Sequence, residues 1–136
     1  MDSKYILGIP EIDAQHEELH EFVAALQNVI ADKDQRLHVH QALKRLYQTL
    51  VNHFDYEEAF MRMIYYPDLA QHKTMHKTVL KLFEDYLAHP VATSEYEQFG
   101  KVISDKVLGH IIEHDLKMTK MYQAKLAGHS TIKFHS

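Results

Sequence analysis

A chain of 136 residues, 46% of them hydrophobic and 25% charged, is one soluble domain with enough apolar material for a core. Its formal charge of −4 offers no hold to nucleic acid or an anionic membrane, and no uncharged apolar run approaches the ~18 residues of a membrane span. The lack of cysteine removes disulfides, thiolate metal sites and cysteine nucleophiles, and the opening MDSKYILGIPEID lacks the apolar centre of a signal peptide, so a cytoplasmic protein is expected.

The first periodic segment runs from about Glu11 to Ala31 and breaks at Asp32-Lys33-Asp34. In it Ile12, His16, Leu19, Val23, Leu26 and Ile30 recur in steps of four and three, the spacing that keeps side chains on one helical face. The second spans Leu37 to Tyr65 and stops at Tyr66-Pro67, because proline cannot continue a helix interior. Its stripe is Leu43, Leu46, Leu50, His53, Glu57, Phe60 and Ile64. The third covers Asp68 to Ala88, closed by His89-Pro90, with Leu69, His72, His76, Val79, Phe83 and Tyr86 in the same rhythm. The fourth opens at Ser94, with Glu97 placed for a capping box, and reaches Leu126 before Gly128. The segment from Gly128 to Ser136 reads as an irregular tail, leaving residues 1–127 as the domain. Four long helices joined by short breaks, with no strand-like alternation, predict an all-α fold: an up-down-up-down antiparallel four-helix bundle.

The stripes carry an anomaly. The chain has 12 histidines, and four of them, with Glu57, occupy stripe positions on the first three segments where a bundle wants leucine. A buried ionised carboxylate costs several kcal/mol unless it is paired or bound to metal. Histidine is the commonest metal ligand, so the pattern predicts a metal site within the core. On the fourth segment Phe99, Ile103, Val107 and His110 form a stripe, which Asp115, Met118 and Tyr122 continue after a five-residue step. Five residues turn a regular α-helix by about 140° beyond a full turn, so His110 and Asp115 do not share its face. Either a π-bulge brings them together, or His114 turns inward and Asp115 is solvated.

These residues reach a family. IDAQH around His16, HFDYE with His53 and Glu57, HKTMH with His72 and His76, and HIIEHD with His110 and Asp115 stand in order on four successive helices. The set resembles the hemerythrins, the bacterial type in particular, from Ile9 to about Tyr122. The resemblance implies a pair of irons, with His72, His76 and His110 on one and His16 and His53 on the other. Glu57 and Asp115 then bridge both, together with an oxo or hydroxo group. One octahedral iron is filled and the other is one ligand short, and that open position takes dioxygen. The implied function is reversible dioxygen binding for storage or delivery, without enzymatic turnover. Phe54, Val107 and Ile111 are the candidate apolar walls of the dioxygen pocket.

Three other readings are open to the sequence. His16-Glu17-Glu18-Leu19-His20 matches the HExxH zinc-protease motif, but His16 faces a bundle core, not a cleft. A ferritin-like di-iron oxidase needs two Glu-x-x-His pairs, and Glu17-His20 alone has that spacing. An oxygen or redox sensor has the same iron site and differs in an attached or separate signalling partner. His20, His38, His40, His89, His114, His129 and His135 read as surface residues.

Overall fold

The computed structural model describes residues 9–32, 34, 38–89 and 92–135, and these are helical with no strand among them. Helix α1 spans Pro10–Ala31 and starts where Ile9 is extended and Pro10 takes the first helical position, its fixed φ suiting that place. Helix α2 spans Val39–Met63, and α3 spans Leu69–Ala88. The fourth helix comes in pieces: a 3-10 turn at Thr93–Glu95, α4 at Tyr96–His110, a π segment at Ile111–Asp115, and α5 at Leu116–His135.

On the fourth helix two boundaries differ from the sequence reading. The regular helix starts at Tyr96, not Ser94, because Ser94 of the proposed capping box lies in the 3-10 turn while Glu97 falls within the helix. The helical backbone also runs through Gly128 to His135, where an irregular tail was expected. A glycine inside a helix costs only about 1 kcal/mol relative to alanine, so one glycine does not by itself end it.

The end of α2 is closed by the backbone itself. Tyr65 adopts φ 55°, the left-handed conformation, and the N–H groups of Tyr65 and Tyr66 donate to the carbonyls of Arg62 and Met61 at 3.2 and 2.9 Å. That pair of bonds is the Schellman arrangement, here with an exposed tyrosine where glycine is usual. The corner is then tied to α5, since Lys125 Nζ donates to the Ile64 carbonyl and Lys117 pairs with Asp68 at 2.9 Å.

Side-chain contacts give the topology. Tyr47 donates to Glu84 while Glu58 meets His76, so α2 and α3 run antiparallel. Stacked Tyr86 and Phe99 at one level, and His76 and His110 at another, make α3 and α4 antiparallel as well. Against α1, a Cβ on Gly100 would come 2.8 Å from Ile30 Cδ1, while His16 lies against Asp115 beyond the other end of α4. Glycine thus admits the close approach of α1 and α4. The fold is the four-helix bundle that the stripes predict.

The apolar core is split in two. The larger body gathers Leu19, Val23, Leu26, Leu43, Leu46, Leu50, Phe83 and Ile103 with their neighbours. The smaller gathers Ile9, Ile12, Met61, Ile64, Tyr66 and Met118. On every helix the residues between these bodies are the histidines and carboxylates.

Candidate metal centre

His16, His53, Glu57, His72, His76, His110 and Asp115 are all buried, with Glu57 and Asp115 wholly removed from solvent. They fall into two groups that share Glu57: Glu57, His72, His76 and His110, and His16, His53, Glu57 and Asp115. Within each group the ligand atoms lie within 4.8 Å of one another. The stripe positions bring the α1, α2 and α3 members inward, as helical periodicity requires.

The fourth helix places its own pair by a different device. Between His110 and Asp115 it widens into the π segment, so that Asp115 joins His110 on the inner face. His114, which regular spacing turns inward, keeps 41% of its side chain exposed and packs its ring on His110 at 5.6 Å and edge-on to His72 at 5.9 Å. It is therefore at the bundle's rim, not a freely solvated surface residue.

Each carboxylate divides its oxygens between the two histidine sets. Glu57 Oε1 lies 2.8 Å from His72 Nε2, 3.1 Å from His76 Nε2 and 3.4 Å from His110 Nε2, while Oε2 lies 3.1 Å from His53 Nε2. Asp115 Oδ1 lies 3.0 Å from His110 Nε2 and 3.4 Å from His72 Nε2, and its Oδ2 is 2.7 Å from His16 Nε2 and 3.3 Å from His53 Nε2. All five Nε2 atoms point to the same small volume.

The donor set fits a cation better than it fits itself. Glu57 Oε2 and Asp115 Oδ1 are buried and have no aligned hydrogen-bond donor, despite the nearby ring nitrogens. His76 Nε2 and His110 Nε2 stand 3.1 Å apart, a meeting of two ring nitrogens that needs a proton or a metal between the lone pairs. Buried acceptors without donors cost about 1–3 kcal/mol each, and more when charged. Imidazole with carboxylate is a ligand mixture for iron and its transition-metal neighbours, not for Mg²⁺ or Ca²⁺, which take oxygen.

Without metal, protons hold the cluster together. Burial pushes His53 down, but the charges of Glu57 and Asp115 outweigh it and raise the group to about 9. His110 goes the same way, with burial opposed by Asp115 and Glu57, and reaches about 10. For Glu57, burial and the nearby Asp115 favour the protonated acid, yet His53 and His110 hold it well below the usual carboxylate range. Burial likewise opposes ionisation of Asp115, and His110 and His16 overcome it.

Of the proposed pocket walls, Phe54 lies on the centre: its ring stacks on His76 at 3.8 Å and meets His110 edge-on at 5.2 Å. Val107 is buried in the larger apolar body, and the side chain of Ile111 lies outside the described residues. Glu17 is exposed, and neither it nor His20 belongs to either group, so the protease and oxidase motifs do not assemble. His38, His40 and His89 are exposed as expected, while the side chains of His129 and His135 lie outside the described residues.

Two side chains at the centre were not singled out in the sequence. His53 Nδ1 donates to Gln15 Oε1 at 2.8 Å, and His76 Nδ1 donates to Glu58 Oε2 at 2.8 Å. Each partner adjoins an inward ligand, Gln15 beside His16 and Glu58 beside Glu57, and reaches a histidine on the next helix. Adjacency to a ligand was the available signal, since ~100° of rotation per residue puts a neighbour at the edge of the buried face. By donating from Nδ1, both rings present Nε2 inward.

Comparison with known proteins follows the same residues. The family model described as the hemerythrin HHE cation binding domain matches residues 7–129. The chain is similar to a bacteriohemerythrin of Campylobacter jejuni, 28% identical over 120 residues, 84% of this chain and 87% of that protein. It is also similar to a bacteriohemerythrin of Stenotrophomonas maltophilia, 26% identical over 121 residues, 88% of this chain and 78% of that protein. No solved structure matches significantly.

Proposed function

The chain belongs to the hemerythrin family, and from that premise we propose that it holds two irons and binds dioxygen reversibly for storage or delivery, without catalytic turnover. In this reading His72, His76 and His110 hold one iron and His16 and His53 the other. Glu57 and Asp115 would bridge them, together with an oxo or hydroxo group. The observation that carries the reading is the division of each carboxylate's oxygens between the two histidine sets. When bound, the irons would supply a reducible pair able to take up dioxygen.

The residues' own part is to balance charge, fix geometry and exclude water. Two ferrous ions bring four positive charges, and Glu57, Asp115 and a bridging hydroxide answer three of them. With neutral His114 in place of Asp115, two charges would stay uncompensated in a low-dielectric core, which is costly. A histidine also cannot span two metals as a carboxylate does. The π segment is thus what permits the bridge. Phe54, stacked on His76, and buried Val107 give the centre an apolar side that would keep water out. No helix among the described residues is long and apolar enough to cross a membrane.

The test is iron content together with the absorption spectrum under a cycle of reduction, oxygenation and removal of oxygen. Two irons per chain, one dioxygen bound and released per pair, and azide at the same position in the oxidised protein are expected. If reduced protein passes straight to the oxidised form with no oxygenated spectrum, even transiently, the carrier reading fails and a redox sensor replaces it.

A further inference from the structure

The hydrogen bonds behind the inward histidines differ in kind. Behind His76 stands a carboxylate, Glu58, and behind His53 a neutral amide, Gln15, both at 2.8 Å. Glu58 keeps only 18% of its side chain exposed, so solvent screens its charge incompletely. The ring between Glu58 and the centre is also held in plane: Phe54 stacks on His76 with 7° between the rings. That stacking resists a swing of the ring away from the acceptor.

We propose that Glu58, acting through His76, and Gln15, acting through His53, set the two metal positions apart electronically. An anionic acceptor stands behind His76 of the three-histidine set and a neutral one behind His53 of the two-histidine set. The proposal rests on the di-iron reading above. Its physics is that of an outer-sphere hydrogen bond. A carboxylate draws the Nδ1 proton away from the ring and enriches Nε2, making it a stronger donor to a more highly charged metal. A charge-assisted bond is roughly twice as strong as a neutral one, so Gln15 does this less. Glu58 therefore favours ferric iron at the position already rich in ligands, and Gln15 leaves the other position more readily ferrous. Both are positioning residues, since neither lies among the ligand atoms.

The obvious rival is that both side chains merely hold their rings still. Glu58→Gln keeps the shape and the hydrogen bond and removes the charge, while Gln15→Glu adds a charge on the opposite side. Midpoint potentials of the iron-loaded full chain are measured first for the unmutated protein and then for each variant. Glu58→Gln is expected to raise the potential by about a tenfold change in ferric over ferrous preference, 59 mV for a one-electron couple. Gln15→Glu is expected to lower it, and a purely structural role does not produce opposite signs. The second readout is zinc affinity of the metal-free protein by chelator competition, where Glu58→Gln should bind about tenfold more weakly at one position.

Shifts of the same sign, or none, overturn the inference while leaving the di-iron reading intact. An unmutated chain that holds no redox-active pair overturns the di-iron reading, and this inference with it. If Glu58→Gln takes up no iron, the zinc titration decides. Weakening confined to one position supports the electronic role, and a loss beyond about a hundredfold at both marks a ring no longer held and overturns it.

Discussion

Leu46 and His53 lie on the same stripe of α2, two turns apart, and both are buried, yet they stand in regions that are stabilised in opposite ways. Around Leu46 the larger body is leucine, isoleucine, valine and phenylalanine from all four helices, and burial alone favours folding there. Around His53 the buried groups are charged or chargeable, with acceptors lacking donors and ring nitrogens facing one another. The apolar body specifies the bundle and needs nothing from outside. The polar layer is tolerable only with cations in it, as protons or as metal, and so its stability is linked to what it binds.

The largest break in that comparison is expected from Glu57→Ala. It removes a carboxylate that faces both histidine sets, so the variant should fail to hold two irons, and the gain in thermal midpoint on metal loading should disappear. Leu46→Ala, in the apolar body, should cost about 2–5 kcal/mol with and without metal alike. Iron analysis and thermal unfolding of both variants, each with and without metal, check this; normal two-iron content in Glu57→Ala would show that Glu57 is not a bridge.

A smaller and more graded effect is expected from pH on the metal-free protein. His53 and His110 have native values of about 9 and about 10 against 6.5 unfolded. Raised values mean that the folded state binds these protons more tightly. Their stabilisation is complete below about 6.5 and drains away as pH rises through 9 and 10. Glu57 and Asp115 are shifted down, so their contribution is present above their ordinary values of 4.5 and 3.8 and is lost as pH falls. Thermal unfolding should therefore show the metal-free midpoint declining on the alkaline side, with the loaded protein much flatter over that span. A metal-free midpoint that holds steady from pH 6.5 to 10 would contradict the proton-filled layer.

The smallest effect sharpens the comparison inside the π segment. His114 and Asp115 are adjacent, but one is at the rim and the other wholly buried. His114→Ala should lose a ring contact worth about 1 kcal/mol or less and keep full iron content. Asp115→Asn should lose the oxo-bridged spectrum. If the two variants behave alike, the segment does not select Asp115.

How far the sequence reached differs between the helices. On α1, α2 and α3 the stripe rule was enough to turn His16, His53, Glu57, His72 and His76 inward, because a regular helix repeats every ~3.6 residues and one face must be buried. The same rule left His114 and Asp115 as rivals on the fourth helix. There the family pattern pointed to Asp115, and a widened helix was its geometric consequence. The proposed capping box failed for a local reason, since Ser94 belongs to a 3-10 turn that competes with the helix start.

The sequence by itself thus determined the bundle, the buried face of each regular helix and the residue types gathered in its polar layer. All of these follow from short-range periodicity and the cost of burying charge. Only the tertiary structure decided which oxygen of Glu57 and Asp115 faces which histidine, and that His114 rests on its neighbours' rings at the rim. It also decided that Gln15 and Glu58 reach across to His53 and His76. Those outcomes depend on the distance and rotation between neighbouring helices, which are set by packing along their whole length and leave no mark on the spacing within any one of them.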